Sequence, residues 1–295
     1  MKSGSVAIIG RPNVGKSTLL NAVLKEKIAI VSDKPQTTRT RILGIVHRPD
    51  AEIVFFDTPG LHQPHHQLNK RMVRTALETM EAADVLYVMV EATASFPGPG
   101  DRAVIEQVRD AVRKDGQPAF LLLNKVDLVK KPKVLPLIER AFSMFDWTEI
   151  VPLSTKTGIN VDRLLELTVS VLREGEPRYA DDEITDQSMR VLAAEIIREK
   201  ILQQTREEVP YSVAVEIDRF EEEGKLARIA ASVLVERDSH KAIVIGKHGE
   251  RLKVVGTYAR IEMERLFEMK VFLELWVKVR SAWREDEQIL TALGI

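Results

Sequence analysis

The nine residues GRPNVGKST at positions 10–18 constrain this chain more than any other stretch. They follow SVAIIG (5–10), an apolar run that reads as a buried strand, and lead into KSTLLNAVL (16–24), which has helical period. Gly10 and Gly15 let the backbone curl so that successive N–H groups face one point, and the helix N-terminus adds its partial positive charge. The expected ligand is a phosphate chain held by Gly10, Arg11, Pro12, Asn13, Val14, Gly15, Lys16, Ser17 and Thr18. Lys16 is expected to reach the β- and γ-phosphates and Ser17 to ligate magnesium. An accidental glycine-rich turn is the competing reading, and the strand–loop–helix setting argues against it.

Four more apolar runs, IVFFD, DVLYVMV, PAFLLLN and EIVPLS, alternate with helix-period stretches up to residue 172. That alternation predicts an α/β domain over residues 1–174, a mostly parallel sheet with helices on both faces. SFPGPG (95–100) reads as a breaker loop. Residues 175–186 are polar and interrupted by Pro, as a linker would be. From 187 the order changes: a helix, the strands YSVAVEIDRF and KLARIAASVLVE, a helix over 239–245, GKHG, a helix over 250–267, then the strand KVFLELWVKV. This predicts a second, α+β domain over 187–281 and a tail over 282–295 with a short helix. The 295 residues suffice for both. With no cysteine, disulfides and thiolate metal sites are excluded, which fits a reducing cytoplasm. No apolar run approaches the roughly 20 residues that span a bilayer, and the first ten residues read as strand rather than signal peptide.

NKVD (124–127) ends a strand. A carboxylate at Asp127 can accept from guanine N1–H and its 2-amino group, donors that adenine lacks, which disfavours ATP. Asn124 is expected to bond N7 and tie loops together, and the Lys125 stem to cover the base. LSTKTG (153–158) follows the last strand of the first domain; backbone N–H groups of Ser154, Thr155 and Lys156 are expected to meet guanine O6. Asn160 reads as the N-cap of the next helix. In QTTRTR (36–41) a threonine hydroxyl is expected to complete the magnesium shell, Thr38 before Thr37. In DTPGLH (57–62), Asp57 is expected to hold magnesium through water, within a phosphate-facing Asp57–Thr58–Pro59–Gly60 turn. Gly60 would offer its N–H to the γ-phosphate, so that loss of this phosphate releases the loop. Leu61 is the difficulty: a glutamine at this place orients the attacking water in Ras-type hydrolases, and leucine cannot.

GRPNVGKS, QTTRTR, DTPG and NKVD, in this order and spacing, resemble the TrmE–Era–EngA–Septin-like group of GTPases, across residues 5–172. The resemblance places Thr155 where alanine is usual. GTPases of this kind with an apolar residue at the Leu61 position often carry an asparagine in the phosphate loop, as Asn13 here. Its carbonyl can help to hold potassium in the place of an arginine finger. Lys16, Thr38, Gly60 and Asn13 are thus the expected catalytic set.

In the second domain Gly246–Lys247–His248–Gly249 lies between two helices, and α-β-β-α-α-β is the order of a type II KH domain, which binds single-stranded RNA. Net charge is only −1, but residues 239–281 hold nine Lys/Arg and five Asp/Glu. A structural helix–helix turn is the competing reading. A GTPase followed by one KH domain resembles the Era branch of small ribosomal subunit assembly. That resemblance implies GTP and GDP as ligands and the 3′ end of small-subunit ribosomal RNA as partner. Ile245, Gly246, Lys247, His248 and Gly249 would line the groove, with Arg251 and Lys253 in the same basic stretch. It also implies a cytoplasmic monomer that associates peripherally with the inner membrane face. The alternative, motivated by Leu61, is a nucleotide-gated RNA-binding module with negligible turnover. A tRNA-modification or translation-factor GTPase should carry further domains. The histidines of HQPHHQ (62–67) read as solvated rather than metal-binding, and Trp276 and Trp283 as packing rather than base-stacking residues.

Overall fold

The structure, a computed structural model, describes residues 1–295 except 35, 62, 63, 65, 94, 95, 207 and 208, and residues 111–115 by backbone only. It comprises two compact units: residues 1–29, 38–64 and 72–186, and residues 30–37, 65–71 and 187–295.

In the first, six strands among the described residues form one sheet: β1 (Lys2–Gly10), β2 (Ile42–His47), β3 (Ala51–Asp57), β4 (Val85–Glu91), β5 (Ala119–Asn124) and β6 (Glu149–Pro152), in the order β2-β3-β1-β4-β5-β6. All neighbours are parallel except β2 and β3. The helices are α1 (Lys16–Leu24), α2 (Gln67–Ala82, of which residues 67–71 are counted with the second unit), α3 (Pro99–Asp115), α4 (Val134–Phe142) and α5 (Val161–Val171). Near-continuous apolar strands such as β4 and β5 are buried on both faces, as parallel strands under helices must be. Every parallel strand of the sheet ends at one edge, where Gly10, Asp57, Asn124 and the loop after β6 meet.

The strand β2 was not expected from its pattern. Its run Ile42–Ile45 is short and begins after a polar stretch, so only antiparallel pairing with β3 defines it. Its open edge is covered by the segment expected as linker. Ile45 N–H donates to Ile184 O (2.9 Å), and Thr185 Oγ1 donates to Leu43 O (2.7 Å). Glu52, fully buried, accepts from the N–H groups of Arg178 and Tyr179 at 2.9–3.1 Å, which satisfies its charge. Asn160 stands at the N-cap of α5 as expected, but at φ +60° its side chain makes no capping bond, its Nδ2 donating instead to Pro152 O at 2.7 Å. That bond fastens the loop after β6 to the strand it leaves.

The second unit contains α6 (Met189–Gln204), α7 (Val209–Ser212), β7 (Ala214–Glu223), β8 (Leu226–Val235), α8 (Asp238–Ile245), α9 (Glu250–Phe267), β9 (Lys270–Val279) and α10 (Glu287–Ala292). Its sheet runs β7-β8-β9, antiparallel then parallel, with α6 and α9 packed against each other and the sheet. Tyr211 and Ser212, expected in a strand, belong to a helical turn opened by Val209 and Pro210, and the strand starts at Ala214. Phe220–Glu223 pair with β8, and the hairpin turn sits at Gly224, φ +62°. The helix α6 is buried around much of its circumference, charged residues included. Glu199 accepts from Val31 N–H (2.9 Å) and pairs with Lys200 (2.7 Å), while Arg198 donates to Thr37 O. Burial works against the Lys200 ammonium, but hydrogen bonds to Glu199 and Glu262 outweigh it and hold its pKa above the usual lysine value.

Candidate functional site

The phosphate loop is shaped by close approaches that exclude side chains. A Cβ on Gly10 would stand 2.5 Å from Met89 O, because β4 runs against the loop. A Cβ on Gly15 (φ +107°) would stand 2.3 Å from Asn124 Nδ2. Lys16 is buried, its ammonium donating to Gly10 O (3.2 Å) and Arg11 O (3.0 Å). Burial lowers its pKa to about 8, with the Asp57 charge pulling upward. Arg11 turns its side chain aside: Nε pairs with Asp101 at 2.6 Å, and Asp101 is tied to Gly98 N–H at 2.9 Å. Any phosphate contact of Arg11 therefore falls to its backbone. Asp101 carried no motif; only folding brings it 90 positions back to the loop.

Beside the loop, Ser17 Oγ lies 2.6 Å from Asp57 Oδ2 and 2.9 Å from Thr38 Oγ1, and Thr38 Oγ1 lies 3.2 Å from the same carboxylate oxygen. Thr37 faces elsewhere, its hydroxyl donating to Lys34 O at 2.6 Å. Asp57 Oδ1 is buried with no hydrogen-bond partner among the described residues. Burial raises the Asp57 pKa, against the opposing pull of Lys16, Ser17 and Thr38. Three oxygen side chains, one with an orphaned charged atom, fit a hard dication such as magnesium.

The following turn is locked onto the loop. Thr58 Oγ1 donates to Ile8 O (2.7 Å), a Cβ on Gly60 would meet Pro12 N at 2.7 Å, and Leu61 N–H donates to Gly10 O (3.2 Å). The Leu61 side chain is buried in a core cluster with Ala76, Met80, Val88 and Phe96. It anchors the turn rather than occupying the place of a water-orienting group.

The expected base-reading residues converge at the ends of β5 and β6. Asn124 is fully engaged: Nδ2 donates to Val14 O (2.8 Å) and Thr155 Oγ1 (3.2 Å), and Oδ1 accepts from Thr155 N–H (3.0 Å). The Thr155 hydroxyl, at the position where alanine is usual by resemblance, thus adds a bond. Ser154 is buried and Lys156 exposed; Ser154 Oγ accepts from Thr157 N–H at 3.2 Å. Lys125 (φ +65°) pairs with Glu91 at 2.9 Å, a partner that no motif indicated. Asp127 stands exposed on the turn 126–128.

In the second unit, Gly246 (φ +75°) and Gly249 (φ +79°) flank exposed Lys247 and His248. Nothing lies within 4 Å of where a Gly249 Cβ would be, so a backbone can approach there. Ile245 is half-buried and Lys253 exposed; Arg251 donates to Ile243 O, closing the end of α8. Of the HQPHHQ segment, His62, Gln63 and His65 lie outside the described residues, as does Ser95 of the breaker loop; His66 pairs with Glu285 at 2.8 Å. Among the described residues no group of three or more His, Cys, Asp or Glu is placed to hold a metal. Trp283 is fully buried, whereas Trp276 is about half exposed.

A family model described as "50S ribosome-binding GTPase" matches residues 5–125, and one described as "KH domain" matches 208–284. GTPase Era of Geobacter metallireducens is 51% identical over 99% of this chain and 97% of its own length. GTPase Era of Syntrophus aciditrophicus is 48% identical over 99% of this chain and 95% of its own. A crystal structure of Era in complex with MgGDPNP and nucleotides 1506–1542 of 16S ribosomal RNA, 42% identical, superposes with a TM-score of 0.95 over 100% of this chain and 99% of that one. An Aquifex aeolicus Era variant bound to GDP·AlF4−, 41% identical, gives 0.94 over the same shares.

Proposed function

The chain belongs to the Era family of GTPases, and from that premise we propose that it is a GTP-driven switch in small ribosomal subunit assembly which binds the 3′ end of the small-subunit ribosomal RNA. One observation carries this reading. A single chain holds both a phosphate loop beside an orphaned, buried Asp57 oxygen and an open Gly-x-x-Gly turn. The domain bounds that go with it are 1–174 for the GTPase, 175–186 for the linker, 187–281 for the KH domain and 282–295 for the tail.

GTP reacts with water to give GDP and phosphate. In our reading the loop N–H groups and Lys16 orient the β- and γ-phosphates, and Asp127 selects guanine. Ser17, Thr38 and, through water, Asp57 hold the magnesium that accompanies GTP, whose charge offsets that of the phosphates. Gly60 N–H faces the γ-phosphate. Since Leu61 is spent on packing, backbone groups of the QTTRTR and DTPG segments position the water. Asn13, exposed on the loop with φ +65°, supplies a carbonyl toward a potassium ion. GTP hydrolysis is then about tenfold faster in potassium than in sodium. The preference disappears in Asn13→Ala, and equal rates in the two salts would refute the potassium role.

In the second unit, Lys247, His248 and Lys253 offer charge beside Gly246 and Gly249, with Ile245 as the apolar wall of the groove. RNA from the 3′ end binds at least about tenfold more tightly to the GTP-analogue form than to the GDP form, a coupling within the ordinary allosteric range. Lys247→Ala lowers the slope of log K against log salt by about one. Equal RNA affinities in both nucleotide forms would sink the switch, and the absence of single-turnover GTP cleavage would favour the module without turnover. The family resemblance supports a monomer in the cytoplasm with peripheral attachment to the inner membrane face. Among the described residues no helix is long and apolar enough to cross a membrane.

A further inference from the structure

The second unit contains a cavity of about 330 Å³ that the reading above does not use. All of its lining residues belong to that unit, among them Asn69, Tyr211, Arg237 and His240. The volume lies at the small end of the range for ligand sites. Asn69 is 4% exposed, borders the cavity, and its carboxamide makes no hydrogen bond among the described residues. Neither polar atom of that carboxamide is sealed away from solvent without a partner, so its donor and acceptor stay open to a molecule in the cavity. The charges around it have the same logic. Glu236 is spent on Arg284, with bonds of 2.9 and 2.6 Å, and Glu285 on His66 at 2.8 Å. Arg237 stands exposed and forms no ion pair among the described residues, which leaves it the uncommitted cation of the described lining. The floor is stiff: Trp283 Nε1 donates to Ser212 O (2.9 Å), and Ser212 Oγ lies 3.0 Å from His240 Nδ1, leaving the other ring nitrogen of this buried histidine unengaged by that bond.

We propose that this cavity binds one adenine nucleotide, with its phosphate on Arg237 and its base edge on Asn69. A carboxamide offers the donor and acceptor pair that matches adenine N6 and N7, and the Tyr211 ring gives the base a surface to lie against. The nucleotide is either free or an adenosine of the bound RNA strand; the second source rests on the RNA-binding reading, the first does not. It is separate from the guanine site, whose Asp127 rejects adenine.

The test uses the full chain with GDP saturating the first site. Adenosine 5′-monophosphate is titrated while the imidazole proton resonances of His240 are followed. A saturable shift is expected, and its loss in Asn69→Leu and in Arg237→Ala. Asn69→Leu removes no hydrogen bond, so its melting temperature stays level or rises; Arg237→Ala, at an exposed position, decides the matter should Asn69→Leu not fold. In a second arm, a ten-nucleotide single-stranded RNA containing adenosine is titrated. If the RNA supplies the ligand, its affinity falls about tenfold in both variants; if a free nucleotide does, RNA affinity is unchanged while the shift with the monophosphate persists. Should the chain bind no RNA at all, the proposed function fails and the monophosphate arm still decides the cavity. No shift with the monophosphate, together with unchanged RNA affinity in both variants, overturns the proposal.

Discussion

Asp127→Asn will weaken GTP binding by roughly 10⁴-fold and transfer the preference to xanthosine triphosphate. The carboxylate stands exposed on the turn 126–128, where both its oxygens can accept from guanine N1–H and the 2-amino group. An asparagine places an N–H₂ where guanine also donates, so two donors face each other. Xanthine has a carbonyl at that position and restores the match. The turn itself should survive the change, because its anchors lie elsewhere: Lys125 on Glu91, and Asn124 between Val14 and Thr155. Competition of the two triphosphates against a fluorescent GDP analogue reads the exchange directly. Undiminished GTP selectivity in the variant would remove Asp127 from base recognition.

Lys16→Ala will lower the single-turnover rate of GTP cleavage by roughly 10²–10³-fold, the usual loss when one preorganised donor to developing charge is removed. A second readout belongs to the same residue. Burial holds the Lys16 pKa near 8, against 10.5 for an ordinary lysine. Between those values the unfolded chain binds the proton and the folded chain does not. The cost to stability is therefore complete below about pH 8 and is relieved as pH rises from about 8 toward 10.5. Phosphate groups favour the ammonium and raise its pKa. GDP binding near pH 8.5 then takes up a proton, which appears as a binding enthalpy that depends on the ionisation heat of the buffer. Lys16→Ala abolishes that dependence; a buffer-independent enthalpy in the unmodified chain would show that Lys16 is already fully charged before the nucleotide arrives.

The parts of the site that were legible in the sequence are contiguous. GRPNVGKST, DTPG and NKVD each bend the chain around one ligand group within a few residues, so spacing alone carries their chemistry. The strands β4 and β5 were legible for a related reason, since burial on both faces leaves an unbroken apolar run. The strand β2 was not: its short run takes its identity from pairing with β3 and from a docked segment more than 130 residues away. Asn160 shows the converse, a good capping residue by type that serves as a tether because the Pro152 carbonyl lies within its reach.

Leu61 carries both lessons. The sequence by itself determined the class of the chain, because phosphate and guanine recognition need particular residue types at fixed short spacings, and it determined that no glutamine follows Gly60. Only the tertiary structure decided what that leucine does, which of Thr37 and Thr38 faces Asp57, and that Arg11 turns to Asp101 rather than toward the phosphates. Those outcomes depend on neighbours brought together from about 15 to 90 positions apart. A local pattern specifies which groups a segment can offer; packing and the pairing of buried charge select which of them face the ligand.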